Sequence, residues 1–402
     1  MDLSFSKTYR TVLLFVSVCG FPIPWIKFSK RVSILLKLYD VLVFMFSVYI
    51  IICSLYSTMQ ASFQDLCQLG IVVSQMTNGI LITFHYIAYQ KIMCKINIRM
   101  DSLTERILCS PLGHQADFVR TIEADRDLIS IFTKVSIIFN MIASVLYVLP
   151  MPLMDYLAGR ERARLPIPIV FLGQAYSTAI SYEAMVLQEV FVLVYCSIKK
   201  IGNDCIFLSF FKIQSAYIKY LTITMKSLGA ELVKNGGEDK EKKLHHWISL
   251  HQDVTRGTQE LVSLYAPLIV LYYTNLICII ALGLFVQLKA ENVDSIQSTA
   301  TALWISTLIF VLYLQSAVAD EVREESIRLA SEAYFIPWYK MKKEIGQSLR
   351  LVIMNANHPI LVTAYRATAF ILNKETFLGF IANVITAYMG FSKIDDVLKE
   401  NE

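Results

Sequence analysis

The sequence predicts an all-α membrane protein with seven transmembrane helices, and its composition and its apolar segments both support this. Of its 402 residues, 55% are hydrophobic and only 17% are charged, with a mean hydropathy of +0.51. An ordinary soluble domain is less apolar. Seven segments are long and apolar enough to cross a hydrocarbon core of about 30 Å. These segments are 34–55, 69–89, 131–149, 169–197, 261–287, 301–319 and 370–391.

The distribution of basic residues predicts the orientation of these segments. Lysine and arginine concentrate before the first segment and in the second-to-third, fourth-to-fifth and sixth-to-seventh connections. The opposite connections have few, apart from Arg160, Arg162 and Arg164. Because basic loops remain in the cytoplasm, we expect a cytoplasmic N-terminus and an extracellular C-terminus. This is the reverse of the topology of G-protein-coupled receptors, whose acidic-Arg-Tyr and Asn-Pro-x-x-Tyr motifs the sequence also lacks.

The chain is expected to have three parts. Residues 1–33 form a cytoplasmic N-terminal part, with a short interfacial or re-entrant helix at 3–19 that the prolines of GFPIPW end. Residues 34–335 contain six transmembrane helices, and residues 336–402 contain a cytoplasmic helix and the seventh. The connections at 102–134 and 202–259 have apolar residues at helical spacing. We therefore expect several membrane helices to continue into the cytosol.

The seventh segment has a stripe of small or polar residues on one helical face. A helix surrounded only by lipid would be apolar on every face, so something other than lipid is expected to lie against this stripe. Two explanations remain open. The stripe packs against a neighbouring helix, as small residues do in membranes, or it faces water in a pore built from several copies of the helix. Its members are Thr376, Gly379, Asn383, Thr386, Gly390 and Lys393.

An ordered series of short motifs runs through the C-terminal region. They are Ala333-Tyr334, Trp338-Tyr339, Arg350-Leu351, Pro359, Thr363-Ala364, Leu372, Glu375-Thr376-Phe377-Leu378 and Ala387-Tyr388. Over about a seventh of the chain, this series resembles the signature of insect odorant receptors. Related gustatory receptors are expected to have a Thr-Tyr and then a Gln-Phe pair in the last helix. Here Ala387 follows Thr386 and no Gln-Phe pair occurs, which favours the odorant branch.

This resemblance implies a subunit of a non-selective cation channel gated by small volatile odorants, in the plasma membrane of olfactory sensory neuron dendrites. It implies a heterotetramer with co-receptor subunits, a central cytoplasmic anchor, a split seventh helix and no cofactor. The family's co-receptor has a long insert between the fourth and fifth membrane helices, whereas this chain has only a short tip at 233–240. We therefore interpret the chain as an odour-specific tuning subunit.

The resemblance also implies where ligand and ions bind. The pore residues are expected to be Asn383, Thr386, Gly390 and Lys393, with Gly390 standing where the family has a large aliphatic residue. The ligand pocket is expected in the outer half of the second to sixth helices, although each pocket residue could instead serve helix packing. The expected pocket residues are Ser74, Gln75, Asn78, Ala143, Tyr147, Tyr176, Ile180, Leu282, Trp304 and Thr307.

Other functions find less support in the sequence. The acids Glu183 and Glu189 in the fourth segment are compatible with a secondary transporter, but no internal repeat accompanies them. Enzyme motifs are absent, and no polybasic block predicts a nucleic-acid partner. The histidines of 245–251 lack a nearby cysteine set. A solvated helix is therefore expected there rather than a metal site.

Overall fold

The computed structural model describes Tyr9, Leu14 and residues 29–58, 62–149, 182–234, 238–289, 295–364 and 371–400. These ranges are almost entirely helical, as predicted. A 3-10 turn lies at Trp338–Lys340. Apart from Tyr9 and Leu14, the predicted helix at 3–19 falls outside the described residues, as do residues 235–237 of the predicted tip at 233–240. The helices are α1 Lys30–Ser57, α2 Phe63–Ala88, α3 Gln90–Leu108, α4 Gln115–Val148, α5 Tyr182–Lys234, α6 Glu238–Lys289, α7 Ser295–Phe335, α8 Lys343–Ala356 and α9 Lys374–Glu400.

Side-chain caps fix where two of these helices begin. At α2, the Ser62 hydroxyl accepts a hydrogen bond from the Asp65 amide at 3.3 Å, and the Asp65 carboxylate accepts one from the Ser62 amide at 3.3 Å. At α9, Asn373 Oδ1 accepts from the Thr376 amide at 2.7 Å. The Thr376 hydroxyl in turn accepts from the Asn373 amide at 3.1 Å. These caps satisfy amides that the helix itself leaves unpaired. Thr376 therefore belongs to the start of α9.

Several helices are much longer than a membrane requires. Among the described helices, α2, α4, α6, α7 and α9 are long and apolar enough to cross a bilayer, and α1 contains a shorter apolar helix at Ser47–Ser57. The α6 helix has 52 residues, or about 78 Å at 1.5 Å per residue. Since the hydrocarbon core is about 30 Å thick, more than half of α6 lies beyond it. The prediction that membrane helices continue past the bilayer is confirmed. We call the part of the helix bundle that lies beyond the hydrocarbon core the extension.

The core of the bundle is built around α5, which packs against α4, α6 and α7. Every residue from 201 to 222 is buried except two partly buried lysines. From α6, the Trp247 indole donates hydrogen bonds to the Leu221 carbonyl at 3.1 Å and the Thr224 hydroxyl at 3.2 Å. His251 stacks on this indole with ring centroids 5.2 Å apart.

The histidines of α6 do not all lie on a solvated face, and for His251 that expectation was wrong. Burial lowers the pKa of His251 to about 4, so the ring is neutral at pH 7 and packs as an aromatic group. Within the described residues, no cluster of three or more His, Cys, Asp or Glu side chains is placed to hold a metal ion.

A partly buried charge cluster joins three helices in the extension. Lys212 of α5 lies 3.1 Å from the Asp125 carboxylate of α4 and 2.8 Å from the Glu321 carboxylate of α7. Lys219 also pairs with Glu321. Burial alone would raise the pKa of Glu321, but the two ammonium groups outweigh it and lower that pKa to about 2. The carboxylate therefore stays charged at pH 7 and holds α5 to α7.

Candidate ligand cavity and pore helix

An apolar cavity opens between α2, α4, α5, α6 and α7. It encloses about 570 Å³ of empty space, its mouth included. Four of these helices contribute the ends that the sequence places on the outer side: the beginnings of the second and sixth segments and the ends of the third and fifth. We call this space the apolar cavity. Its lining includes Ile71, Gln75, Ala143, Tyr147, Val286 and Trp304.

A second cavity of about 370 Å³ continues from the first, deeper in the bundle. Gln75, Ser197 and Trp304 line both spaces. Its walls also include the side chains of Asn78, Asn140 and Lys200, and Lys200 is the charged group among the lining residues of the two spaces. We call it the polar cavity. The two adjoining spaces are together called the cleft, with a mainly apolar outer half and a more polar floor.

Five of the predicted ligand residues line this cleft. Gln75, Ala143, Tyr147 and Trp304 line the apolar cavity. Asn78 lines the polar cavity, where Gln75 and Trp304 also reach. These residues come from three helices that are distant in sequence. That they contact a ligand remains a prediction.

Three other predicted ligand residues are placed differently. The Ser74 carbonyl accepts a hydrogen bond from the Asn275 amide group at 2.9 Å. Leu282 packs over Gly70, with its Cδ1 atom 3.2 Å from where a Cβ on that glycine would lie. The Thr307 hydroxyl donates to the Leu303 carbonyl of its own helix at 2.9 Å. None of the three is among the lining residues of either cavity.

Two further predictions cannot be placed in the fold. Tyr176 and Ile180 fall outside the described residues. The side chains of Glu183 and Glu189 in the first turns of α5 are also outside the described set.

The predicted end of the fourth segment, at residue 197, was wrong. Ser197 lines the apolar cavity together with the outer ends of four other segments, although its predicted position was at the cytoplasmic end. The apolar segment ends before Lys199 and Lys200, so hydropathy assigns these two lysines to the cytoplasmic side. In the fold Lys199 is buried and Lys200 pairs with Asp204 one turn later, Nζ to Oδ2 3.7 Å. An i,i+4 pair of opposite charge lets the helix continue inside the bundle.

Asp204 is the centre of a buried polar network that sequence reasoning missed. Its Oδ1 atom accepts hydrogen bonds from the Tyr272 hydroxyl at 2.7 Å and from the Gln315 amide group at 2.7 Å. The Tyr273 hydroxyl donates to the Gln315 carbonyl oxygen at 3.1 Å. The available signal was the Lys-x-x-x-Asp spacing of 200–204, which places both charges on one helical face. The network joins α5, α6 and α7 below the polar cavity.

The last helix packs on this bundle along one narrow face. Phe380 and Val384 are the buried apolar residues of α9, and Phe380 meets the Tyr273 ring of α6 edge to face at 6.1 Å. Further along, Tyr388 and Phe391 pack against a small cluster of Cys67, Phe285 and Val286. Val286 also lines the apolar cavity. Val286 therefore belongs both to the cavity wall and to the cluster on which α9 rests.

The predicted pore stripe lies outside this packing face. Asn383, Thr386, Gly390 and Lys393 are all exposed on the isolated chain. A Cβ atom on Gly390 would meet no atom within 4 Å. Asn383 nevertheless lines a groove that α9 forms with α6 and α7. The described helices of this chain therefore leave Thr386, Gly390 and Lys393 uncovered, but not the whole stripe. Its assignment to a pore remains a prediction.

Comparison with known proteins decides the family. A sequence model described as 7tm Odorant receptor matches residues 58–377, most of the chain. This chain belongs to the insect odorant receptor family. Odorant receptor 10 of Aedes albopictus is 30% identical to the receptor over 114 residues, which are 28% of this chain and 30% of that relative. The match thus spans less than a third of that relative's length.

Solved structures show the same architecture over nearly the whole receptor. The insect olfactory receptor OR5 from Machilis hrabei in complex with eugenol superimposes with a TM-score of 0.78 at 14% identity, covering 97% of this chain and 98% of that one. A second structure of OR5 from Machilis hrabei superimposes with a TM-score of 0.79 at 13% identity, covering 96% of this chain and 98% of that one. The seven-transmembrane fold and the split seventh helix are thereby confirmed. The receptor is a membrane protein of a receptor family and not an enzyme.

Proposed function

We propose that this receptor is an odour-specific tuning subunit of an odorant-gated, non-selective cation channel that assembles with co-receptor subunits as a heterotetramer. The observation that supports the proposal best is the shared wall between cavity and last helix. Val286 lines the apolar cavity and also belongs to the cluster under Tyr388 and Phe391. A ligand that moves this wall also moves the surface on which α9 rests, so occupancy of the cavity biases the position of α9.

The cavity suits a small volatile ligand. Its outer half is lined by aliphatic and aromatic side chains, with few polar groups to fix orientation, as small-molecule pockets generally are. A related receptor has been solved in complex with eugenol, a small aromatic molecule. We therefore assign odorant binding to the cleft formed by the apolar and polar cavities. The five predicted residues that line it are its proposed ligand contacts.

The exposed surface of α9 supports assembly with other subunits. Of an apolar stretch of 18 residues in this helix, only 11% is buried within the chain, compared with 56% of such a stretch in α6. Several copies of such a helix around an axis would cover the stripe and leave water between them. We propose this arrangement at the plasma membrane of sensory dendrites. The N-terminus is proposed to be cytoplasmic, because basic residues concentrate in the connections assigned to that side.

Co-expression tests this proposal. The receptor expressed alone should give little odour-evoked current, and co-expression with an odorant receptor co-receptor should produce robust currents with unitary openings. Cells that express the co-receptor alone are the control for currents that the co-receptor conducts by itself. Robust currents from the receptor alone would contradict the tuning-subunit assignment. Agonist-evoked flux without unitary openings would instead favour a transporter.

A further inference from the structure

The floor of the polar cavity carries an ammonium group. The Lys200 side chain lines this cavity, and it lies 3.7 Å from Asp204 Oδ2. That distance allows electrostatic attraction but is longer than a normal hydrogen bond of about 2.7–3.2 Å. An ammonium group has three N–H donors. A lysine at this depth in a membrane bundle is expensive to maintain and is a functional-site candidate for that reason.

The partner of Lys200 has hydrogen bonds on its Oδ1 atom, whereas Oδ2, the oxygen nearer Lys200, has none within the described residues. Asp204 accepts from Tyr272 and Gln315, both at 2.7 Å. The Lys200–Asp204 pair is neutral overall, so a ligand that brings a full negative charge would add an unbalanced charge close to the aspartate. Burying such a charge is costly. A neutral oxygen acceptor would meet the ammonium donors without adding charge.

The cleft is elongated along α2, which suits a small chain-like ligand with its oxygen at one end. On α2 the lining residues run from Gln68 in the apolar cavity to Ile82 in the polar cavity, about 21 Å along the helix at 1.5 Å per residue. An oxygen at Lys200 would place the rest of the molecule past Trp304, which lines both spaces. The body of the ligand would then lie against Ile71 and Tyr147 in the apolar half.

We propose that the polar cavity is a head-group subsite, where Lys200 donates a hydrogen bond to the carbonyl oxygen of an elongated neutral ligand: a ketone, an aldehyde or an ester. This rests on the proposed function, since it assumes that the cleft is the odorant site. An alcohol needs an acceptor for its O–H as well, which Asn78 and Asn140 in this cavity offer, so it is expected to bind second to the carbonyl. A hydrocarbon makes no hydrogen bond to the ammonium, and a carboxylate is disfavoured by Asp204.

Four ligands of equal chain length test the subsite: a straight-chain ketone, the alcohol, the hydrocarbon and the carboxylate. Binding is measured as the ligand-induced rise in melting temperature of the receptor–co-receptor complex, and activation as evoked current. The wild type should bind the ketone most tightly. Lys200→Met should weaken ketone binding about 10- to 100-fold, the loss expected for a hydrogen bond to a charged group, and leave hydrocarbon binding nearly unchanged. The exposed Lys95→Met is the matched control.

Removing one member of a buried ion pair can unfold a protein, so Lys200→Met with Asp204→Asn is tested beside the single variant. The same loss of ketone preference is expected. A wild type that binds ketone and hydrocarbon alike, or variants that weaken all ligands equally, would overturn the subsite. Ketone-selective binding without current in the presence of co-receptor would uphold the subsite and refute the channel function. Currents of equal size for ligands with different head groups would uphold the channel function and refute the subsite.

Discussion

The helices α5 and α9 show two ways for an apolar helix to be accommodated. Between residues 201 and 222, α5 is buried on every side except at two partly buried lysines. In α9, which has 27 residues, only Phe380, Val384 and Asp395 are buried. The packing of α5 is thus completed within the chain, whereas most of the surface of α9 remains for lipid or for other subunits. The difference indicates a stable core that carries a peripheral helix whose environment comes from assembly.

The largest effect is expected from damage to the core. Trp247→Ala removes a fully buried side chain and its hydrogen bonds to Leu221 and Thr224. We expect a loss of about 3–5 kcal/mol in the free energy of unfolding, as for other large-to-small core changes. Thermal melting of the purified receptor and the amount at the cell surface would measure it.

The matched change in α9 sharpens the comparison. Leu378 is 70% exposed on the isolated chain, so Leu378→Ala should leave its melting temperature nearly unchanged. Assembly with co-receptor, measured by co-purification, should be the more sensitive readout. Equal destabilisation by Leu378→Ala and Trp247→Ala in the isolated chain would break the distinction between the two helices.

An intermediate effect is expected in the cleft. Trp304→Ala and Tyr147→Ala each remove an aromatic wall of the apolar cavity. Losing such a contact costs about 1–3 kcal/mol, or about 10- to 100-fold in agonist potency. Thr307→Val is the control, because that hydroxyl bonds to its own helix. Unchanged concentration–response curves for both aromatic variants would remove them from the ligand site.

The smallest effect is expected at the outer end of the stripe. Lys393 is exposed, and a cation near a cation pathway lowers the local cation concentration. Lys393→Glu should therefore raise conductance or divalent permeability, most clearly at low ionic strength, because screening acts within about 8 Å at physiological salt. Odorant potency should stay the same. Lys91→Glu, an exposed change outside α9, is the control for a general effect of charge.

The fold was largely predictable because its signals are local. Apolar length locates membrane helices, and apolar spacing between charges at 202–259 indicates the helices beyond them. The end of the fourth segment was not predictable in this way. Hydropathy treats Lys200 as the end of a span, whereas Asp204 pairs with it one turn later. Tyr272 and Gln315 complete the site from residues that lie far away in sequence.

The ligand cleft was predictable only in part. The level of each residue along its helix was enough to predict Gln75, Tyr147 and Trp304, which line the cavity. It could not decide which way a side chain points around its helix, so Leu282 and Thr307 were included although they pack elsewhere. Rotation about the helix axis depends on contacts among five helices, and no single segment contains that information.

Accessibility of the stripe during gating tests the central claim, that a cavity in the bundle controls a pore lined by α9. Thr386→Cys, expressed with co-receptor, is exposed to a water-soluble charged thiol reagent with and without agonist, beside the wild type and Leu378→Cys on another face of α9. We expect modification to change the current through Thr386→Cys, and to change it faster when agonist is present. Leu378→Cys should behave like the wild type. An unchanged current through Thr386→Cys despite labelling, or equal effects at both positions, would contradict it.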